Sequence, residues 1–299
     1  MKTSHIRKIL FTTLGFSSSI LLNLNTPSFA QALVTLPELS NINSSISTPQ
    51  TQQKKTDLQW VYSVAEKVIR ANGLDDHPWR FEVSDKYDIN AYAGELNKIV
   101  IYKGLLDQIH GDDAALAFII SHELAHHTQR HAAQQIELES SLKDRLLKEA
   151  DEEFTNWIVA EKQKSDKPIS IAKKDVIKQR IMLQKKQEFD NALQALSRQQ
   201  EFQADEVGYK YMSTAGYDVN GGLRVFKLLS RLPSDYTVNS SHPPTPQRIA
   251  ALNGIMSEYP WLTLWVDGNE RLKINSQPLT FDVIEDEISL RINSRFVSK

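Results

Sequence analysis

The sequence predicts an α+β fold: a mostly helical domain with a small antiparallel sheet and a short, β-patterned C-terminal tail. Apolar residues recur at helical spacing over long stretches of the 299-residue chain. Residues 79–83 and 98–102 instead alternate in polarity or are rich in β-branched side chains, which is typical of strands. Residues 259–299 change period again toward alternation, and this change predicts the tail.

The first 30 residues have the layout of a cleavable export signal. Lys2, Arg7 and Lys8 form a basic start, residues 9–24 are mostly apolar, and residues 28–30 place small side chains at the two positions that a signal peptidase reads. An uncleaved anchor and an organelle transit peptide are the alternatives, because the segment is rich in Ser and Thr and contains no acid. We expect an exported protein, soluble in a periplasm or lumen, with no stable membrane span after cleavage.

The rest of the chain divides into a linker, one domain and the tail. Residues 31–56 are rich in Ser, Thr, Asn, Gln and Pro, a composition that predicts a disordered polar linker. Asp57 is a candidate N-cap for the first helix of a domain that spans residues 57–258. In the tail, residues 259–299, the sequence Asp267-Gly268-Asn269 predicts a hairpin turn.

A charged helical insertion is expected within the domain at residues 137–190. The segment holds 12 acidic and 12 basic residues, with Pro168 near its middle. This balance predicts two long, solvated helices broken at Pro168, and the alternative is a lid or partner-docking arm. A further helix is expected over residues 189–215, closed by Gly216.

The composition excludes several classes of chemistry. The chain contains no cysteine, so disulfides, thiolate metal ligands and a cysteine nucleophile are excluded. Lys and Arg together number 35 against 37 acidic residues, and no nucleic-acid partner is expected from this balance. Any catalysis must therefore use His, Asp, Glu, Ser, Thr or Lys.

A predicted buried helix leads into a cluster of titratable residues. The seven apolar residues 114–120 are followed by His122-Glu123-Leu124-Ala125-His126, which fits the H-E-x-x-H pattern. Because positions i and i+4 share a helix face, His122 and His126 can reach one tetrahedral ion. Glu123 is rotated by about 100° from the first ligand, where it can hold and deprotonate a metal-bound water.

A third ligand is expected from a second helix. Glu201 and Asp205 lie four residues apart, so both carboxylates share one face. Glu201 can complete a His₂Glu site for one Zn²⁺ per chain, with the fourth position open to water. Asp205 would accept the free ring N–H of a ligand histidine and fix its tautomer. The alternative for this pair is an ordinary acidic surface.

Other histidines and one arginine are weaker candidates. His242 lies in the Pro-rich segment 241–246, where it could be a fourth ligand, a gate, an oxyanion stabiliser or a solvent-exposed residue. Arg248 could pair with a buried carboxylate or contact the oxyanion. His127 and His131 lie on other faces of the helix that carries the H-E-x-x-H motif and are expected to be surface or supporting groups rather than ligands.

Five segments, in this order, resemble the HtpX and CAAX-prenyl-endopeptidase type of zinc metallopeptidase, the gluzincins of peptidase family M48. They are Asn90-Ala91-Tyr92, Lys103-Gly104-Leu105-Leu106, His122 to His126, Glu201-x-x-Ala-Asp205, and Ser-His242-Pro-Pro-Thr-x-x-Arg248. The continuation Gln129-Arg130-His131 is similar to that of the soluble, exported, BepA-like members.

The resemblance implies a zincin-type gluzincin domain. His122, His126 and Glu201 would be zinc ligands, and Glu123 the general base. Substrate would pair as an added strand along the edge formed by Asn90, Ala91 and Tyr92.

We therefore expect a zinc-dependent endopeptidase that hydrolyses peptide bonds in exported or misfolded proteins. Its partners would be protein or peptide substrates, with His242 and Arg248 as candidate catalytic helpers. One alternative is a chaperone-like quality-control protein with latent proteolysis. Another is a zinc hydrolase that acts on something other than peptide.

Overall fold

A computed structural model describes residues 49–232, 245–284 and 288–296, so the predicted signal, most of the linker and His242 lie outside the described residues. The predicted α+β class is confirmed. The described ranges contain helices α1 (Pro49–Ala71), α2 (Lys103–Gln108), α3 (Asp113–Thr128), α4 (His131–Lys164), α5 (Ile171–Thr214), α6 (Gly221–Leu229), α7 (Thr245–Glu258) and α8 (Trp261–Ile274). The strands are β1 (Trp79–Ser84), β2 (Ala91–Ala93), β3 (Lys98–Tyr102), β4 (Phe281–Val283) and β5 (Ser289–Ile292).

The sheet is mixed, whereas the sequence predicted an antiparallel sheet. Its strand order is β2-β3-β1-β5-β4, and β1 pairs with β3 in parallel, with Phe81 opposite Ile99. The remaining pairs are antiparallel. The short strand β2 lies at the edge of the sheet, while β3, which is buried on both faces, takes the inner position.

Helix α3 is the centre of the core. The side chain of Asp112 caps it by accepting a hydrogen bond from the Ala115 backbone N–H at 3.0 Å. The helix is buried from Ala114 to Ser121 and packs against α5, α6, α1 and β2. Burial on nearly all sides places the polar end of this helix inside the protein.

The first helix begins earlier than predicted. Helix α1 starts at Pro49, so residues 49–56 are helical rather than part of a disordered linker. Pro is well tolerated at a helix start because its missing N–H has no intrahelical partner there. Asp57 therefore lies within the helix, where its carboxylate is 3.4 Å from Lys103 Nζ, and it is not the N-cap.

The predicted hairpin of the tail is wrong, because residues 261–274 form helix α8. Leu264, Gly268 and Leu272 recur every four residues, so one face of α8 packs on α1 and α5. A Cβ atom at Gly268 would lie 1.9 Å from the Thr214 carbonyl oxygen. The strands β4 and β5 follow, and β5 pairs with β1, so the tail completes the sheet of the domain.

The charged insertion forms two long helices, as predicted. Helix α4 ends at Lys164 and α5 begins at Ile171, with Pro168 in the break between them. The helix expected over residues 189–215 is continuous with the second of these, so one 44-residue helix joins the insertion to the core. In the described part of the chain, no helix combines the length and apolarity needed to cross a membrane.

The helical tail leads to a first testable prediction. We expect Gly268→Ala to lower the free energy of unfolding by about 1–3 kcal/mol, because the added methyl group overpacks the contact with α5. Gly254→Ala in α7 is the matched control, since a Cβ there meets nothing within 4 Å. It should raise stability by about 0.5–1 kcal/mol. Equal effects of the two variants in urea unfolding would contradict the packing of α8.

Candidate active site

Three helices bring the predicted site residues together beside one cleft. Helix α3 supplies the H-E-x-x-H residues, α5 supplies Glu201 and Asp205, and α7 supplies Arg248. Helices α3 and α5 approach closely because Gly208 has no side chain: a Cβ there would lie 3.0 Å from the His122 backbone nitrogen. This close packing carries the carboxylates of α5 to the histidine pair.

His122, His126 and Glu201 form a candidate metal site. The two Nε2 atoms are 3.1 Å apart, and Glu201 oxygens lie 3.7 Å from His122 Nε2 and 3.6 Å from His126 Nε2. A tetrahedral zinc site with bonds of about 2.0–2.1 Å separates its ligand atoms by about 3.4 Å. The three residues therefore fit a zinc ion, with a fourth position left for another group.

The remaining ring nitrogen of each histidine faces a neighbouring polar side chain. His122 Nδ1 lies 3.0 Å from Asp205 Oδ1, which is the contact predicted for Asp205. His126 Nδ1 lies 3.0 Å from His131 Nδ1, and His131 is buried and is not part of the candidate ligand set. Burial lowers the pKa of His126 well below its ordinary value, which favours the neutral imidazole that a metal requires.

Arg248 pairs with buried carboxylates, the first of its two predicted roles. Its Nε and Nη2 donate to the two Asp205 oxygens at 2.7 and 2.6 Å, and Nη1 lies 3.2 Å from Glu201 Oε2. Asp205 and Arg248 are both almost fully buried. The guanidinium offsets part of the negative charge of Glu201 and Asp205, and its carbon atom lies 4.8 Å from the centre of the Phe226 ring.

Glu123 lines the cleft next to the metal site. Burial raises the pKa of its carboxyl group to about 7, and this effect outweighs the opposing influence of His122. The Ala93 backbone N–H of β2 acts in the same direction as His122 and lowers this pKa. A carboxyl group with a pKa near neutrality can both accept and return a proton at physiological pH.

The predicted substrate-binding segment forms one wall of this cleft. Asn90 and Ala91 line it, and Asn90 Oδ1 is buried without a hydrogen-bond partner among the described residues. Tyr92 faces the other side of β2, where its ring meets that of Tyr102 edge-on. The structure therefore brings two of the three residues to the cleft.

Apolar residues that the sequence analysis did not identify form much of the remaining lining. The cleft encloses about 570 Å³ when the open solvent at its mouth is included, and it is also bounded by Leu105, Ile119, Val225, Phe226 and Leu229. Helix α6, which supplies three of these residues, carries no motif, and only its apolar stripe signals a buried face. His127 lies apart from the metal ligands, with Nε2 3.1 Å from the Lys98 carbonyl oxygen.

Comparisons with known proteins agree with this geometry. The family model of peptidase family M48 matches residues 55–256. Mitochondrial metalloendopeptidase OMA1 of Arabidopsis thaliana is 26% identical over 216 residues, 68% of this chain and 38% of the relative. OMA1 of Schizosaccharomyces pombe is 31% identical over 77 residues, 26% of this chain and 23% of the relative. OMA1 of Bos taurus is 32% identical over 82 residues, 26% of this chain and 16% of the relative.

These comparisons also correct one expectation. The predicted periplasmic or lumenal location is contradicted, because all three relatives are named as mitochondrial proteins. The chain spans between 16% and 38% of the length of these relatives. No solved structure matches the chain.

The buried ion pair leads to a second prediction. We expect Arg248→Met to lower the free energy of unfolding of the zinc-free protein by about 3–5 kcal/mol, because two buried carboxylates lose their cation. The control is Arg224→Met, since Arg224 makes a similar two-point contact with Asp112 at the surface. Arg224→Met should lower the free energy of unfolding by at most about 1 kcal/mol. Urea unfolding with a chelator present measures both, and comparable losses would contradict the assigned burial.

Proposed function

The chain belongs to peptidase family M48, and from this membership and the geometry of the site we propose that it is a zinc-dependent endopeptidase. The predicted resemblance to this family is thereby confirmed. The comparisons do not support the narrower likeness to exported, BepA-like members. The observation that carries the proposal is the largely buried set of His122, His126 and Glu201, whose spacing fits one zinc ion beside an open cleft.

His122, His126 and Glu201 would hold the ion, and Asp205 would orient His122. When bound, zinc supplies a Lewis acid that polarises the scissile carbonyl and lowers the pKa of water toward neutrality. Arg248 contacts two carboxylates of the site, because its guanidinium donates hydrogen bonds to Asp205 and forms an ion pair with Glu201. We assign it a positioning role rather than contact with the oxyanion. The role of His242 stays a prediction.

Glu123 is the proposed general base. Its carboxylate takes a proton from the attacking water and later delivers it to the leaving amine. The raised pKa of about 7 supports this assignment, since the group can change protonation state at neutral pH.

The free edge of β2 is the proposed binding site for an extended substrate. The Tyr102 N–H donates to the Asn90 carbonyl and the Gly94 N–H donates to the Lys98 carbonyl, so alternate residues of this segment bond to β3. The backbone groups of Ala91 therefore point away from β3. A peptide that pairs there lies beside the metal site. Extended binding favours unfolded or misfolded protein segments as substrates.

A third prediction tests the base. We expect Glu123→Gln to bind zinc normally but to lower kcat for a casein-type substrate by at least about 10²-fold, because proton transfer is lost. Glu206→Gln is the control, since Glu206 lies next to Asp205 on α5 but pairs with Lys210 outside the cleft. It should cleave normally.

Cleavage by zinc-loaded Glu123→Gln at the wild-type rate would overturn the assignment. The chaperone-like alternative predicts something different: this variant should suppress aggregation of an unfolded protein as well as wild type does. The long arm of α4 and α5, with exposed apolar side chains such as Ile136 and Val176, is the feature that favours that alternative.

A fourth prediction tests strand pairing of the substrate. Ala91→Pro removes one N–H at the free edge without breaking a bond to β3. We expect it to lower kcat/KM for peptides by about 5–10-fold, the effect of one hydrogen bond. Ala91→Val keeps the N–H and is the control. Equal kcat/KM values for the two variants in a fluorogenic-peptide assay would argue against β-augmentation.

A further inference from the structure

We propose that His131 and Gln203 are positioning residues that fix the ring of His126 and thereby set the affinity of the site for zinc. This inference rests on the zinc site proposed above. The two metal-binding histidines are supported differently: His122 faces a carboxylate, Asp205, whereas His126 faces the neutral ring of His131.

The direction of the hydrogen bonds follows from the metal. If His126 binds zinc through Nε2, its Nδ1 carries the proton and donates to His131 Nδ1 at 3.0 Å. His131 then carries its own proton on Nε2, which donates to Gln203 Oε1 at 3.1 Å. The amide of Gln203 donates in turn to Gln129 Oε1 at 3.2 Å. Each group has one role, and no other tautomer of His131 satisfies both neighbours.

The backbone is bent to make this contact. On a continuous helix, position i+5 is rotated by about 140° from position i, so residue 131 would face away from His126. Helix α3 instead ends at Thr128, and Arg130 adopts a left-handed conformation with φ of 58°. Helix α4 begins at His131, whose side chain returns to the ring of His126.

Helix α5 holds His131 from the opposite side. Gln200 Nε2 donates to the His131 carbonyl oxygen at 3.1 Å, one turn before Gln203 reaches the ring. The same helix presents Glu201 and Asp205 to α3 on another face. One segment of α5 therefore supplies the proposed ligand Glu201 and the partner of His122, Asp205. The same segment supplies Gln200 and Gln203, which hold His131, the partner of His126.

The test measures zinc affinity by competition with a chromophoric chelator, together with thermal unfolding of the zinc-free proteins. His131→Leu fills the space but cannot accept a hydrogen bond, and we expect it to weaken zinc binding by about 10–100-fold. His131→Asn keeps an acceptor near the Nδ1 position and should recover most of that affinity. Gln203→Met should weaken binding by less than His131→Leu.

His127→Asn is the matched control, since His127 is a neighbouring histidine that contacts the Lys98 carbonyl instead of a ligand. It should leave zinc affinity unchanged. Failure of the wild-type protein to bind zinc would overturn the proposed function itself. A wild type that binds zinc, with His131→Leu equally tight or His131→Asn as weak as His131→Leu, would overturn only the role of His131.

Discussion

The site depends on the buried ion pairs that Arg248 forms with the carboxylates of Glu201 and Asp205. Asp205 is fully buried and Arg248 nearly so, and both oxygens of Asp205 accept hydrogen bonds from the guanidinium. Carboxylates in such a setting are costly unless they are paired and hydrogen-bonded. Because Asp205 also faces His122, contacts through this residue of α5 connect the arginine on α7 with a histidine on α3.

Helix α5 links the long arm to this centre. It runs without interruption from the tip of the arm at Ile171 to Thr214 in the core, and it carries Glu201 on the way. The Gly208 contact brings it against the backbone of His122. The long arm and Glu201 therefore belong to one continuous helix.

The sequence predicted what depends on spacing within one helix. His122 and His126, and Glu201 and Asp205, share faces because they are four residues apart. The contact of His131 with His126 could not be predicted in this way, because it depends on the left-handed turn at Arg130. Helix α8 is not predicted for another reason: its Trp and Thr residues favour strands locally, while packing against α5 decides the outcome.

The central claim, a zinc site built from His122, His126 and Glu201, is tested most directly by zinc analysis of the purified wild type and of Glu201→Ala, each paired with casein degradation. We expect one zinc per wild-type chain with cleavage, and loss of both in Glu201→Ala, because the site is left with two protein ligands. A Glu201→Ala protein that retains one zinc per chain and full cleavage would contradict the account.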